Sequence, residues 1–264
     1  MLSSRPLGCL DARTCWLGYR VIEEGRYNAS EMTEAQFEEG SNGTVLKNLR
    51  GIIAVDQMDR AEAVALALTT EQLVSTYDGE HRFTAADLRA MHQRWLGGLY
   101  SWAGEYRHVN VSKGGFPFSA ASRIPALMEE FEAGPLRMHT PCSPKGIASV
   151  AKALAETHVE FVLIHPFRDG NGRLSRLLAV LMALQAGLPF LDFSVVASER
   201  RADYFAAVQA GMNRNYAPMS ALFAEIIRRT IERVSDSAAP ARAVFSQSLQ
   251  AFRRSQSLSN SRHL

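Results

Sequence analysis

Residues 165–176 read His-Pro-Phe-Arg-Asp-Gly-Asn-Gly-Arg-Leu-Ser-Arg, and most residue types in that run have something to offer a phosphate. Gly170 and Gly172 permit left-handed or close-approach backbone geometry, which lets several N–H groups point at one anion. They stand where a helix begins, so its unpaired N–H groups and positive dipole end add to an anion site. Arg173 and Arg176, three apart, are neighbours on one helix face, and two guanidinium forks suit a polyphosphate. Asp169 supplies a hard oxygen of the kind Mg²⁺ prefers when the ion also bridges phosphates. His165 can act as a general base near neutral pH. Each feature alone has a plainer explanation: a core histidine (which is how His158 reads), a turn, a solvated arginine pair, a capping aspartate. Their conjunction in one short run is what points to attack on a phosphate.

Two helices must frame that loop. Ile147, Val150, Ala151, Leu154, His158, Phe161, Val162 and His165 follow one helical face, and Pro166 disfavours the α conformation at His165, so the helix ends there. Leu174, Leu177, Leu178, Leu181 and Leu184 lay out the next helix, with Gly187 and Pro189 as stop signals. Upstream, the apolar spacing predicts a helix over residues 56–73. Thr84, with Asp87 three residues on, reads as a capping box opening a helix over Ala85–Tyr100. Glu105–Val111 alternates like a strand, Ser112-Lys113-Gly114-Gly115 reads as a hairpin turn, and Phe116–Ser119 as the returning piece. Further helices are expected over Ala121–Glu132, Arg200–Gln209 and Met219–Val234. The fold class is mainly α, a helical bundle with one β-hairpin.

Bulk composition narrows the function classes. The chain has 264 residues, 47% hydrophobic and 21% charged, with a net charge of +2, too near neutral to argue for nucleic acid or a membrane surface. Arg and Lys are not clustered into a basic face, so direct nucleic-acid binding is not expected. The three cysteines, Cys9, Cys15 and Cys142, lack metal-ligand spacing and form an odd set, which suits a reducing, cytoplasmic compartment. No apolar run approaches the ~20 residues of a membrane span, and the N-terminus lacks the apolar core of a secretory signal. Residues 1–35 read as an extension expected to be poorly ordered, with Met32 a candidate native start. Residues 36–234 read as one domain, and 235–264 as a tail rich in Ser, Ala, Gln and Arg, expected to be disordered.

The loop matches, at every specified position, the signature of Fic proteins, His-x-Phe-x-(Asp or Glu)-Gly-Asn-Gly-Arg-x-x-Arg. The segments Thr44–Asn48 with Gly51-Ile52, and Leu99–Arg107, resemble those flanking it in bacterial members. The resemblance covers residues ~40–230, within the usual size of one domain. It implies a Fic-type helical bundle with the hairpin 106–118 as a flap, and transfer of AMP from ATP to a Tyr, Ser or Thr hydroxyl of a target protein. On that resemblance His165 would deprotonate the hydroxyl, Phe167 would anchor the loop, and Asp169 would bind Mg²⁺. Gly170, Asn171 and Gly172 would form the anion hole, with Arg173 on the β-phosphate side and Arg176 at the γ-phosphate. Tyr204 is a candidate wall of the adenine pocket. The flap would pair with an extended target segment as an added strand; otherwise it is an exposed hairpin whose Phe116 and Phe118 fill the core. Relatives that phosphorylate carry lysine where Gly172 stands, which favours AMP transfer here.

Many Fic proteins carry an inhibitory helix with (Ser or Thr)-x-x-x-Glu-(Gly or Asn). Glu39-Gly40 has the right ending, but Ala35 occupies the Ser/Thr position; Ser220 is followed by Ala224 where Glu belongs. Inhibition is therefore expected from a separate small antitoxin protein, with Glu39 as a weak internal brake the alternative. Bacterial relatives that act as toxins modify type II topoisomerase subunits, so such a subunit is the target that family analogy offers. The alternative activities are transfer of UMP, phosphocholine or phosphate. A non-catalytic nucleotide-binding module is a further alternative, against which the intact His165 argues.

Overall fold

The computed structural model describes residues 33–236 apart from positions 144, 195 and 197–199. The expectations placed on the first 32 residues, Cys9, Cys15 and Met32 included, and on residues 237–264 fall outside the described residues.

Helix α1 (Val55–Thr76) buries Met58, Glu62, Leu66 and Leu73 on one face. Helix α2 (Ala85–Leu96) opens on the expected capping box: the Asp87 N–H donates to the Thr84 hydroxyl at 3.1 Å, and the Thr84 N–H donates to the Asp87 carboxylate at 2.9 Å. It stops at Leu96, four residues short of the expected Tyr100, where the pair Gly97-Gly98 weakens the helix.

The hairpin is shorter than its sequence suggests. Strands β1 (Ser112–Lys113) and β2 (Phe116–Pro117) pair antiparallel, Ser112 opposite Pro117 and Lys113 opposite Phe116. Gly114 and Gly115 make the two-residue turn with φ of +54° and +76°, the primed geometry that closes tight hairpins. The expected strand over Glu105–Val111 does not form. Its backbone donors are claimed elsewhere: the Arg107 N–H goes to the Pro166 carbonyl at 2.9 Å and the His108 N–H to the Glu34 carboxylate at 2.7 Å.

After a 3₁₀ turn (Ala121–Arg123), helix α3 (Ile124–Phe131) runs on through a π turn at Glu132–Leu136 to His139. Pro135 inside that turn has no N–H to give the ladder. Helices α4 (Ile147–Ile164) and α5 (Asn171–Gln185) form the centre of the molecule, and α5 is buried at most of its positions. Helix α6 (Arg201–Ala210) and a last helix, α7 (217–236), complete the described chain. The core is contiguous, with Leu154, Phe161, Phe167, Leu174 and Leu177 at its middle and Met91 and Trp95 of α2 against them. The architecture is mainly helical, with one two-stranded sheet among the described residues. No described helix is long and apolar enough to cross a membrane.

Candidate active site

The loop of residues 165–170 joins α4 to α5, and its shape follows from its two ends. His165 caps α4 in the left-handed region, φ +52° and ψ 58°, its N–H still donating to the Phe161 carbonyl at 3.0 Å. A non-glycine residue there is held by its surroundings. At the other end Gly170 caps α5 with φ +83°. A Cβ on Gly170 would stand 2.7 Å from the Trp95 ring, so both backbone angle and space demand glycine. Gly172 differs from the sequence expectation: it is an ordinary helical residue of α5, and a Cβ there would meet only Arg176 at 3.5 Å.

Asn171 stitches the loop closed. Its side-chain oxygen accepts the Phe167 N–H at 2.9 Å, and its amide donates to the Phe167 carbonyl at 2.8 Å. The Asn171 side chain is thus spent on the loop; what it has for an anion is its backbone N–H. That group and the Gly172 N–H begin α5, with no carbonyl a turn earlier in the helix to pair with. Phe167 is fully buried, its ring stacked on His92 at 3.9 Å and 7°.

His92, which sequence reading missed, is a second brace. Its Nδ1 accepts the Gly104 N–H at 2.8 Å, so the proton sits on Nε2, which donates to the Asp169 carbonyl at 3.1 Å. Burial pushes this imidazole down to about 4, so it holds the loop as a neutral ring.

The His165 ring has a defined tautomer for the same reason. Nδ1 lies 3.1 Å from the Val162 carbonyl, which can only accept, so Nδ1 carries the proton and Nε2 the lone pair. Phe118 from the end of the hairpin stacks on the ring at 3.6 Å and 14°. Burial, with Arg107 and Lys113 adding to it against the Val162 hydrogen bond, pushes His165 down to about 3. The ring is neutral throughout the physiological range.

Arg107 ties hairpin to loop. Its guanidinium, almost wholly buried, donates to three carbonyls: His165 at 2.7 Å, Val109 at 2.6 Å and Ser119 at 2.5 Å. Val109 and Ser119 lie on the two stems of the hairpin, so one side chain fixes both stems to His165. Glu34, itself buried, adds a favourable charge near Arg107, takes the His108 N–H, and offers its carbonyl to Arg168 at 2.8 Å.

The two arginines of the loop sit in different surroundings. Arg173 donates to the Glu62 carboxylate at 2.5 Å, lies over the Trp95 ring at 4.6 Å, and stands 3.4 Å from Asp169. Glu62 is fully buried; its other oxygen accepts the Tyr100 hydroxyl at 2.5 Å and its carbonyl accepts the Trp95 indole N–H at 2.9 Å. Arg176 is also buried, and burial lowers its guanidinium to about 10, with the nearby Tyr204 hydroxyl acting against that. Asp169 spends one oxygen on the Gly170 N–H at 2.6 Å, and its side chain is 27% exposed. Among the described residues no three His, Cys, Asp or Glu side chains are grouped to hold a metal alone. An ion at Asp169 would complete its shell with phosphate oxygens and water, the mode Mg²⁺ prefers; the donor set fits that mode.

Of the sequence candidates, Asp169, Gly170, Asn171, Gly172, Arg173 and Arg176 converge on one helix N-terminus, with His165 at the opposite end of the loop and Tyr204 behind Arg176. The residues missed are the supporting ones: Glu62, His92, Arg107 and Phe118. The first two had a signal, a polar residue inside an apolar stripe: Met58-Glu62-Leu66 at steps of four, and His92 beside Leu88, Met91 and Trp95.

The same frame recurs in known proteins. Over 150 residues, 56% of this chain and 28% of the relative, the chain is 31% identical to the protein adenylyltransferase Fic of Culex quinquefasciatus. Over 173 residues, 65% of this chain and 33% of the relative, it is 26% identical to the protein adenylyltransferase Fic of Drosophila ananassae. The chain spans about a third or less of the length of these curated relatives. Among solved structures, the N-terminal Fic domain of a VirB-translocated Bep effector protein from Bartonella quintana, with bound ADP, superposes with a TM-score of 0.60 at 26% identity. That match covers 74% of this chain and 95% of the other. A Bep Fic domain from Bartonella sp. AR 15-3 gives a TM-score of 0.62 at 22% identity, over 76% and 95% of the two chains, a likeness of fold. The Fic/DOC family model matches residues 82–183, a span holding α2, the hairpin, α4, the loop and nearly all of α5, and over that span the chain is similar to the Fic/DOC family.

Proposed function

We propose that the chain is a protein adenylyltransferase, moving AMP from ATP to a hydroxyl side chain of a target protein. The observation that carries this is the His165 ring, fixed with its proton on Nδ1 and its lone pair on Nε2, at the end of a loop whose other end is a helix N-terminus flanked by arginines. A binding module has no use for a base held in one tautomer. The relatives named protein adenylyltransferase, and the ADP in the Bartonella quintana structure, support the nucleotide reading.

In the proposed reaction the target hydroxyl gives its proton to Nε2 of His165 while its oxygen attacks the α-phosphorus in line. The bond from that phosphorus to the bridging oxygen breaks, and pyrophosphate leaves. Asn171 and Gly172 receive phosphate oxygens on backbone N–H groups, Gly170 sets the turn that presents them while its own N–H goes to the Asp169 carboxylate, Arg176 holds the terminal phosphate and Arg173 the side of the β-phosphate. Asp169 would hold a Mg²⁺, which supplies charge neutralisation at the phosphates. The chain contributes positioning and electrostatic stabilisation. The base of the nucleotide would lie against α6, where Tyr204 stands beside Phe205. The Phe205 ring is 36% exposed, and Lys113 of the hairpin lies over it at 5.8 Å.

The target is a protein presented as an extended segment along the hairpin, a type II topoisomerase subunit on family analogy. A small antitoxin protein is the proposed inhibitor, and the cytoplasm the proposed compartment. The test is incubation with α-³²P-ATP, Mg²⁺ and bacterial lysate beside a His165→Ala variant. Labelled protein from the wild type alone supports the reading. Label from γ-³²P-ATP would mean phosphorylation instead, and label from neither would overturn transfer to any protein in that lysate.

A further inference from the structure

A groove of about 750 Å³ opens where α2 begins. Its walls are the turn that leads into α2, Tyr106 just before the first stem of the hairpin, and α3, a few residues after the second. Phe83 and Met128, each 1% exposed, make its floor. The Tyr106 ring lies 5.9 Å from the Phe167 ring of the loop. The charged side chains of the groove come in two pairs of opposite sign. Glu129 of α3 and Glu132 at the start of the π turn, three apart, are neighbours on one helical face. Arg82 and Arg137 form the other pair, the Arg82 guanidinium donating to the Arg137 carbonyl at 2.5 Å. One oxygen of Glu132 accepts the Ala85 N–H at 2.7 Å. Glu129 and Arg137 are exposed, and among the described residues neither side chain has a hydrogen bond or an ion pair. Four charges thus line one groove without pairing with one another.

We propose that this groove docks the target protein, taking an extended segment that sets a Lys or Arg against Glu129 and Glu132, an apolar side chain on Phe83 and Met128, and an Asp or Glu against Arg82 and Arg137. Charge complementarity selects that occupant. A polyanion would meet the glutamates, and a wholly basic segment the arginines. Tyr, Met and Arg are also residue types that gather where proteins meet. A segment added along the hairpin is held through its main chain, which every protein has, so choice among targets falls to side-chain contacts such as these. The proposal rests on the protein-transfer reading above and adds to it the chemistry by which a target is chosen.

Glu129→Lys and Arg137→Glu each reverse one exposed charge, and the double variant restores the net charge with the signs exchanged. The wild type and the three variants would be incubated with α-³²P-ATP, Mg²⁺ and a dilution series of bacterial lysate, following the band that the wild type labels. Calorimetry with ATP and thermal melts would accompany them. Each single variant is expected to raise the lysate concentration for half-maximal labelling about 3–10-fold, as losing a charge complement at an interface does. ATP affinity should stay within about twofold, and the melts should stay unchanged. The double variant should be worse than either single one, because the order of charges along the groove is read rather than their sum. Labelling restored to the wild-type level in the double variant would overturn the proposal, since net charge alone would then matter. Unchanged labelling in both single variants, or equal losses of labelling and ATP affinity, would overturn it too. A folded wild type that labels no protein would instead bring down the transfer reading, and the proposal with it.

Discussion

The Nε of Arg107 donates to the main-chain carbonyl of His165 at 2.7 Å, and the remainder of the same guanidinium spans the two stems of the hairpin. The hairpin and the base are therefore one mechanical unit. Arg107→Lys keeps the charge but cannot reach three carbonyls at once. It is expected to lower kcat for protein transfer by at least tenfold while ATP affinity stays within about threefold, and to cost about 2 kcal/mol of stability. Single-turnover kinetics beside calorimetry would check it; equal loss of rate and ATP affinity would argue against the coupling.

His165→Ala should reduce transfer by ~10²–10⁴-fold or more while leaving ATP binding nearly intact. The pH profile adds a sharper expectation. A base works when neutral, and the folded His165 lies far below its ordinary 6.5, at about 3. The acid limb of kcat should thus be missing between pH 8 and 6, and an inflection near 6.5 that vanishes in the variant would contradict the burial of this ring.

Three histidines make stability fall with acidity, His92 and His158 buried and His165 partly so. His92 sits at about 4, His158 and His165 at about 3, whereas in the unfolded chain they protonate near 6.5. Below 6.5 the unfolded state binds more protons, so this stability is fully present above that pH and is lost as pH falls toward the folded values. Urea melts should show a decline between pH 6.5 and 4, of at most about 1.4 kcal/mol per pH unit per histidine. His92→Phe, which keeps a ring against Phe167, should flatten part of the slope.

Glu62→Ala leaves Arg173 a buried cation without its carboxylate, and should cost about 3–5 kcal/mol. Glu62→Leu with Arg173→Met, which removes both charges, should recover most of that loss while giving up phosphate binding at the Arg173 position. Denaturant titrations of the variants would decide.

Two glycines of the loop should behave differently. Gly170→Ala must both tolerate φ +83° and push the Trp95 ring aside, a change expected to cost well over ~1 kcal/mol. Gly172→Ala sits in a helix with room for the methyl and should be neutral or slightly stabilising. Thermal melts of the pair would show whether the loop's shape depends on one glycine or both.

The loop and its frame were legible because punctuation and periodicity agree there: Pro166 and Gly170 bound the turn, and the leucines of α5 recur on a helical period. The Thr84–Asp87 capping box is a contact between near neighbours, and it too could be read directly. What escaped depends on partners far along the chain. Glu62 meets Arg173 across 111 positions, and nothing local to α1 names that partner. The stretch Glu105–Val111 alternates as a strand does, yet its N–H groups answer to Pro166 and to Glu34, so tertiary contacts override the pattern. Asn171 was read as part of an anion hole; its side chain closes the loop on Phe167, a task that only the folded turn reveals.

The pairing of Arg173 with Glu62 also sets how the site behaves toward ionic strength. A pocket with two uncompensated arginines would draw polyanions from a distance, and salt would slow their arrival steeply. With Arg173 neutralised from within, that arginine adds little to the long-range field, and the site acts on a phosphate mainly at contact, where mobile ions screen little. Nucleotide association should accordingly depend weakly on salt, so the site would recognise a triphosphate by fit far more than by attraction.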